Sequence, residues 1–294
     1  MAEVTLELIK TLREKTNAGM MDCKAALTEA GGDLEAAETV LRKKGMAASD
    51  KKASRSAKEG VIATSVSSDG QMGVLIEVNC ETDFVAKNEI FQGFVKALVD
   101  HVASAPSADS LEEILAQPFG VTGLSVEDAV KTKVGELGEK IVMGRAVRYQ
   151  VTGSGLVGSY IHLAGKVGVL VEIGCGKATT ASSPDLKELA RDLTLQITAA
   201  HPTCVSRDQV PSSKVATERE IYLDQVKGKP ENVAEKIVNG KLDKFFGQVC
   251  LLEQGFIKDQ DKSIAEVLAA KGKELGDELS VRRFERFSVG ETAA

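Results

Sequence analysis

The segment Asn79-Cys80-Glu81-Thr82-Asp83-Phe84-Val85-Ala86-Lys87 joins two regular elements and decides how the rest of the chain is interpreted. The apolar residues 74–78 before it predict a buried strand. After it, an apolar face predicts a helix; this face consists of Phe91, Phe94, Leu98 and Val102. Because connections run over the protein surface, an acid beside a large aromatic ring is unusual there. Either Phe84 packs onto its own core, or its ring is offered to another molecule.

The same strand, turn and helix occur a second time, 95 residues further along the chain. Residues 168–175 (Gly-Val-Leu-Val-Glu-Ile-Gly-Cys) align with residues 73–80 (Gly-Val-Leu-Ile-Glu-Val-Asn-Cys), and the apolar helix positions repeat with the same offset. In the second copy, residues 177–180 (Lys-Ala-Thr-Thr) hold the place of residues 82–85. Since this copy has neither the acid nor the aromatic ring, the repeated unit does not need them to fold, and a functional role for the pair is favoured.

A further repeat, with an offset of 138 residues, relates two later segments. Residues 136–139 (Glu-Leu-Gly-Glu) align with residues 274–277 (Glu-Leu-Gly-Asp), and a segment suited to a third strand follows each of them, at 142–151 and 279–289. The sequence therefore predicts an α+β protein with two related subdomains. Each is expected to have a three-stranded antiparallel sheet with helices on one face.

The remaining segments surround this pair of subdomains. Three short helical patterns precede it, and we expect the third helix to stop at Gly45. Two more helical patterns meet at Gly228-Lys229-Pro230 and predict an inserted antiparallel hairpin. The predicted units are a three-helix head at 1–45, a basic linker at 46–58, a first subdomain at 59–150, a second subdomain at 151–203 and 247–294, and the hairpin at 204–246.

Composition excludes several classes of function. The 294 residues carry a net charge of −6, which argues against a direct nucleic-acid partner. The basic tract at 42–58 is either a solvated tether or a nucleic-acid contact, and the absence of stacking aromatics favours the tether. No apolar run is long enough to predict a membrane span, and residues 1–4 lack the layout of a signal peptide. Five scattered cysteines are typical of reduced thiols in the cytoplasm.

Motifs for covalent chemistry are weak or missing. The sequence has no Walker-type phosphate loop. Residues 153–158 match Gly-x-Gly-x-x-Gly, but a strand pattern follows, whereas a dinucleotide fingerprint opens a helix. The three histidines are far apart and lack metal-ligand spacing. Asp83 has no second titratable group to share a general-base task. We therefore expect no catalytic residue, no cofactor and no metal.

Four segments together resemble bacterial translation elongation factor Ts over nearly the full length. They are residues 16–27 (Thr-Asn-Ala-Gly-Met-Met-Asp-Cys-Lys-Ala-Ala-Leu), residues 79–87 with their Thr-Asp-Phe-Val core, residues 158–162 (Gly-Ser-Tyr-Ile-His) and residues 281–284 (Val-Arg-Arg-Phe). The order, the spacing and the hairpin insertion also match. Asn17 departs from the family, in which glycine is common, but it lies in a turn where little effect is expected.

The resemblance implies a cytoplasmic guanine-nucleotide exchange factor for the GTPase elongation factor Tu, with no covalent chemistry and a ubiquitin-associated-like head. It implies that Thr82, Asp83, Phe84 and Val85 dislodge Mg²⁺ from the GTPase, so that GDP leaves and GTP rebinds. The head would grip the same nucleotide-binding domain through Ala18, Gly19, Met20, Met21, Asp22 and Cys23. His162 in the second subdomain would touch another domain of the partner.

Two other classes stay open at this point. One is a scaffold whose three-helix head binds ubiquitin-like or other partners. The other is a thiol enzyme built on Cys80, which alkylation of that residue would test.

Overall fold

The N-terminal residues form three helices. The computed structural model describes residues 4–121 and 123–291; the first three residues of the predicted head, Thr122, and the last three residues of the predicted second subdomain lie outside the described residues. The helices are α1 (Leu6–Thr16), α2 (Met20–Glu29) and α3 (Leu34–Lys52). Thr5 and Asp33 cap α1 and α3 by accepting backbone N–H groups, and Asn17 ends α1 in a left-handed conformation.

The first sheet and its helices follow. The sheet is antiparallel in the order β1-β2-β5. In chain order, the elements are β1 (Glu59–Val66), β2 (Met72–Cys80), α4 (Asp83–Ala86), α5 (Glu89–Ser104), α6 (Leu111–Ala116), β3 (Pro118–Phe119), β4 (Leu124–Ser125), α7 (Val126–Leu137) and β5 (Val142–Gln150). Apolar side chains of α5, α6 and α7 pack on one face of the sheet.

The second sheet repeats this plan and carries the insertion. It is antiparallel in the order β10-β7-β6. Its elements are β6 (Gly155–His162), β7 (Val167–Cys175), α8 (Ala178–Ala181), α9 (Pro184–Ala200), α10 (Ser212–Gln225), α11 (Glu231–Val249), β8 (Gly255–Phe256), β9 (Asp259–Ser263), α12 (Ile264–Leu275) and β10 (Leu279–Ser288). The predicted α+β class, with two three-stranded antiparallel sheets, is confirmed.

The two sheets pack against each other through the faces that the helices leave free. One apolar cluster joins Ile62 and Leu75 of the first sheet to Val157 and Leu170 of the second. Gly73 makes this approach possible, because a Cβ there would lie 2.5 Å from Val157 Cγ1. Both faces of each sheet are therefore buried, which explains why β2 and β7 are nearly continuous apolar runs.

A buried glutamate pairs with arginine at the same place in each sheet. Glu77 of β2 binds Arg145 of β5, with Oε2 2.6 Å from Nη2, and both Glu77 and Glu172 are almost fully buried. Glu172 of β7 binds Arg283 at 2.7 Å and also Arg282 at 2.9 Å. Burial of a carboxylate is costly unless it is paired and hydrogen-bonded, and in each sheet arginine supplies both the opposite charge and the hydrogen bonds.

The arginines of these pairs also stack across the interface between the sheets. The Arg145 guanidinium lies 4.3 Å from the ring centroid of Phe287 in the second sheet. In the reverse direction, Arg283 lies 4.0 Å from the ring centroid of Tyr149 in the first sheet. Because the offset of 138 relates both arginines and both rings, the contact has an approximate two-fold relation between the copies.

Helix α3 differs from the prediction. We expected it to stop at Gly45, but it continues to Lys52 and packs along α7. The closest approach is glycine on glycine, since a Cβ on Gly135 would lie 2.6 Å from Gly45 Cα. A glycine that resembles a helix stop in the sequence is here a contact point between helices. The predicted boundary at 45 therefore falls inside a helix; the other predicted unit boundaries stay predictions.

Helices α10 and α11 form the inserted antiparallel pair. Val226 and Val238 are buried between them, and Arg219 lies 3.9 Å from Glu235 across the pair. Every residue of α10 is at least partly exposed, as expected for a projecting helix with few apolar positions. Of the helices in the described ranges, none is both long and apolar enough to cross a membrane.

Candidate functional site

The 82–85 turn (Thr82, Asp83, Phe84 and Val85) begins where β2 ends. Thr82 caps the single-turn helix α4, because its Oγ1 accepts the Val85 N–H at 3.3 Å. Asn88 then caps α5 by accepting the Ile90 N–H at 2.8 Å. Two capped helices in immediate succession leave little freedom to the backbone between them.

Within this turn, Phe84 points away from the protein. Val85 packs against the first core and Ala86 is buried, whereas 82 % of Phe84 is exposed. Of the two alternatives for Phe84, packing onto its own core is wrong. The ring is therefore available to another molecule, and it contributes little to the protein's own core.

Asp83 is held beside the ring by Lys87. Lys87 Nζ lies 2.7 Å from Asp83 Oδ2, one helical turn further on. The hydrogen bond and charge of Lys87 lower the pKa of the Asp83 carboxyl, and Asp83 raises the pKa of the Lys87 ammonium. The carboxylate therefore stays ionised throughout the neutral range.

Below the turn lies an acid that the sequence analysis did not assign. Glu139 follows the C-terminal end of α7, and its Oε2 accepts the N–H groups of Glu81 at 3.1 Å and Thr82 at 2.9 Å. The Thr82 hydroxyl donates to Glu139 Oε1 at 2.6 Å. The repeat with offset 138 contained this residue, but only the structure shows that it reaches the turn.

The C-terminal end of α3 also reaches this region. Lys52 Nζ donates to the Gly138 carbonyl at 2.6 Å, and Arg55 lies 3.4 Å from the Glu81 carboxylate. The Lys140 N–H, 2.6 Å from Glu81 Oε1, lowers the pKa of that carboxyl, and the charge of Arg55 adds to the effect. The predicted head and the 82–85 turn are thus joined through packed helices and a set of hydrogen bonds.

Cys80 is unsuited to the role of a nucleophile. Its side chain is fully buried, and its Sγ donates to the Thr82 carbonyl at 3.1 Å. Burial raises its pKa to about 11. A reactive thiol needs exposure and a lowered pKa, so the geometry argues against the thiol-enzyme alternative.

The predicted head surface is exposed only in part. Met21 is 75 % exposed and Met20 is 50 % exposed, and Gly19 and Asp22 are also exposed. In contrast, Cys23 is fully buried in the head core, and Ala18 packs against that core. The contact of the Ala18 to Cys23 segment with a partner stays a prediction, and within this segment the Cys23 side chain helps to build the head core.

His162 lies at the exposed end of β6. Its Nδ1 is 3.1 Å from the Tyr160 hydroxyl. The next residue, Leu163, was not singled out from the sequence, yet it is 65 % exposed and adopts a left-handed conformation, with φ of 49°. This turn packs on β1 through Gly165, and α4 packs on β1 as well. The tertiary structure therefore brings the His162 turn and the 82–85 turn to the same strand.

Potential metal ligands do not converge in the part of the chain that the structure describes. Within residues 4–121 and 123–291, no three histidine, cysteine or acidic side chains form a group that could hold an ion. The turn exposes the Phe84 ring and the ionised Asp83 carboxylate, and hydrogen bonds to Glu139 hold its backbone.

Comparison with known proteins gives a consistent result. The family model described as elongation factor TS matches residues 81–291. Elongation factor Ts of Trichlorobacter lovleyi is 44 % identical over 291 residues, with 98 % of this chain and 93 % of the relative covered. That of Clostridium perfringens is 44 % identical over 290 residues, with the same shares. That of Nitratidesulfovibrio vulgaris is 42 % identical over 293 residues, covering 99 % of this chain and 97 % of the relative.

The matches to these relatives extend over nearly the whole chain, and together with the family model they place it among the translation elongation factors. The chain belongs to the elongation factor Ts family.

Proposed function

We propose that this chain is the guanine-nucleotide exchange factor of elongation factor Tu, and that it works in the cytoplasm without covalent chemistry. In this proposal, residues 82–85 promote GDP release by displacing the Mg²⁺ of the GTPase, after which GTP rebinds. The head segment from Ala18 to Cys23, in which Gly19, Met20, Met21 and Asp22 are exposed, holds the nucleotide-binding domain. His162 touches another domain of the partner.

The observation that carries the proposal is the exposure of Phe84 on a turn whose second copy lacks the ring. Burying one such ring in a partner contributes roughly 1.5–3 kcal/mol. That free energy becomes available only when the partner opens to accept the ring, so it is coupled to the change of conformation.

The partner's metal is a suitable target for a small displacement. Mg²⁺ requires near-octahedral oxygen ligands at about 2.0–2.1 Å. A ring that enters beside the site and shifts these ligands loosens the ion, together with the phosphates that the ion bridges. Asp83, which is ionised, adds a negative charge near the departing phosphates. No proton transfer or nucleophile is needed for this step.

The test is the rate of labelled GDP release from elongation factor Tu, with and without this protein. Phe84→Ala is expected to slow release by about 10- to 100-fold, because that is the kinetic equivalent of the free energy above. Its free energy of unfolding should change by less than about 0.5 kcal/mol, since the ring is exposed.

The matched control is Thr179→Ala, at the equivalent position of the second copy, which should leave release unchanged. If Phe84→Ala releases GDP as fast as the unmodified protein, the ring has no part in exchange. If the unmodified protein itself fails to speed release, the scaffold alternative replaces the proposal.

Thermodynamic linkage predicts how Mg²⁺ affects binding of this protein to the GTPase. A factor that weakens GDP binding must itself be bound more weakly when GDP is present, by the same ratio. Because Mg²⁺ and Phe84 favour opposite geometries of one site, raising Mg²⁺ should weaken binding of this protein to the GDP-loaded partner. Phe84→Ala should show a much smaller dependence in calorimetric titrations at low and high Mg²⁺. Equal dependence in the two proteins would reduce residues 82–85 to a binding contact.

A further inference from the structure

Glu139 makes a set of contacts that determines how the 82–85 turn is presented. Its carboxylate accepts two backbone N–H groups and the Thr82 hydroxyl. Because that hydroxyl gives its proton to Glu139, its oxygen is left with lone pairs for the Val85 N–H. Glu139, which is 57 positions away from Thr82 in the chain, thus orients the side chain that caps α4.

Comparison with the second copy shows which contacts of Glu139 are common to both turns and which occur only in the first. Asp277 follows the end of α12 and accepts the N–H groups of Gly176 and Lys177, both at 3.0 Å. These bonds correspond to the backbone bonds of Glu139, so closing the turn is common to both copies. Lys177, however, has no hydroxyl in the place of Thr82, and the first helical turn of α8 has no side-chain cap among the described residues.

A hydroxyl does approach Asp277, but from another position. The hydrogen bond from Thr180 is the main cause of the lowered pKa of the Asp277 carboxyl, and Thr180 corresponds to Val85 rather than to Thr82. The acid therefore orients a helix cap only in the copy that presents Phe84.

We infer that Glu139 is a positioning residue for Phe84, acting through the Thr82 hydroxyl. Helix α4 has only four residues, and a single helical turn does not hold itself without capping or packing. When Glu139 orients the cap, the ring keeps one direction; when it does not, the ring samples several. This inference rests on the proposed function only where exchange rates are concerned.

A fluorescence measurement tests it without elongation factor Tu. The chain contains no tryptophan, so Phe84→Trp introduces a single reporter at the exposed position. In this background, Glu139→Gln should lower the anisotropy of Trp emission, because the amide that replaces the carboxylate offers only one acceptor oxygen and places N–H donors against the turn. Asp277→Asn, the matched control, should leave the anisotropy unchanged.

Thr82→Val gives the second variant, since it removes the hydroxyl and keeps the shape. It should lower the anisotropy as much as Glu139→Gln does, and the combination of both should lower it no further. It also keeps the test decisive if Glu139→Gln fails to fold. Unchanged anisotropy with Thr82→Val, or a loss that simply adds to that of Glu139→Gln, would overturn the inference.

Exchange kinetics in the native Phe84 background give the functional measurement. Glu139→Gln and Thr82→Val should each lower the maximal rate of GDP release by about tenfold, the size expected for losing a hydrogen bond to a charged group. The concentration for half-maximal rate should change less, because the ring and the head surface are still present. A variant that only lost stability would instead show normal exchange per folded molecule.

The outcomes separate the two proposals. Lower anisotropy with normal exchange supports the positioning by Glu139 and contradicts a role for Phe84 in exchange. Unchanged anisotropy overturns the positioning even if Phe84→Ala slows GDP release.

Discussion

The two turns that follow β2 and β7 have the same framework and different surfaces. In each, a cysteine at the strand end donates its S–H to the carbonyl two residues on, Cys80 to Thr82 and Cys175 to Lys177. A four-residue helix and a capped longer helix follow in both. Only the first turn carries an exposed aromatic ring. The features shared by both copies are therefore those that the fold needs, and the exposed ring is an addition found only in the first copy.

The shared framework can be broken in either copy. Glu77→Gln should lower the free energy of unfolding by about 3–5 kcal/mol, because it leaves the largely buried Arg145 without its charge partner. Glu172→Gln should lower it less, because Arg283 is nearly half exposed and Arg282 is partly exposed, so water can solvate both charges. Urea denaturation measures the effect, and exchange per folded molecule should stay normal.

The control for this prediction is Glu38→Gln in the exposed pair with Lys15, which is 3.1 Å long. It should change stability by less than about 1 kcal/mol. An equally large loss for Glu77→Gln and Glu172→Gln would show that exposure of the arginine does not reduce the cost of removing its partner.

The difference between the turns can be removed by exchanging their sequences. Giving the first turn the residues of the second should reduce exchange by at least about 10- to 100-fold. The loss of stability should be about 1–3 kcal/mol, because the exchange removes the Thr82 cap of α4 and places a hydroxyl at the partly buried position 85. The required changes are Thr82→Lys, Asp83→Ala, Phe84→Thr and Val85→Thr.

The reverse exchange sharpens the comparison. Placing the sequence Thr-Asp-Phe-Val at 177–180 of this inactive variant should give a folded protein that does not regain exchange, since the ring would stand on the wrong sheet. Recovery of GDP release would show that the sequence of the turn suffices wherever it stands.

The smallest expected effect concerns the two equivalent cysteines. Cys175 is partly exposed, whereas Cys80 is buried with a pKa raised to about 11. At about pH 8, roughly one Cys80 in a thousand is a thiolate, so iodoacetamide should label Cys175 in the folded protein and Cys80 only after unfolding. Mass mapping of the adducts measures both. Equal labelling would mean that the first turn opens readily, and loss of exchange on labelling Cys175 would contradict the inert role of the second turn.

Much of this organisation was predictable because the chain repeats itself. The offset of 95 residues aligned the central strands and their helices, and it showed that the second copy folds without the ring at position 84. The nearly continuous apolar runs of β2 and β7 also indicate that these strands are buried on both faces. The sequence alone therefore showed that Phe84 has no counterpart in the second copy.

The end of helix α3 and the burial of Cys23 were not predictable from local sequence, for a common reason. A glycine at position 45 resembles a stop when the helix is considered alone, but in the fold it lets α3 approach Gly135 of α7. Cys23 lies within a motif of exposed residues and yet faces the head core. At both places, burial depends on neighbours that are distant in the chain.

The sequence by itself determined the two copies, the strand and helix order within each, and the one turn that differs. Only the tertiary structure decided how the copies meet: the offset of 138 aligned Arg145 with Arg283 and Tyr149 with Phe287, but not that each arginine stacks on the ring of the other sheet. It likewise decided that Glu139 reaches the Thr82 hydroxyl. Repeats and patterns report local geometry, whereas these contacts join segments that come together only when both sheets and their helices have packed.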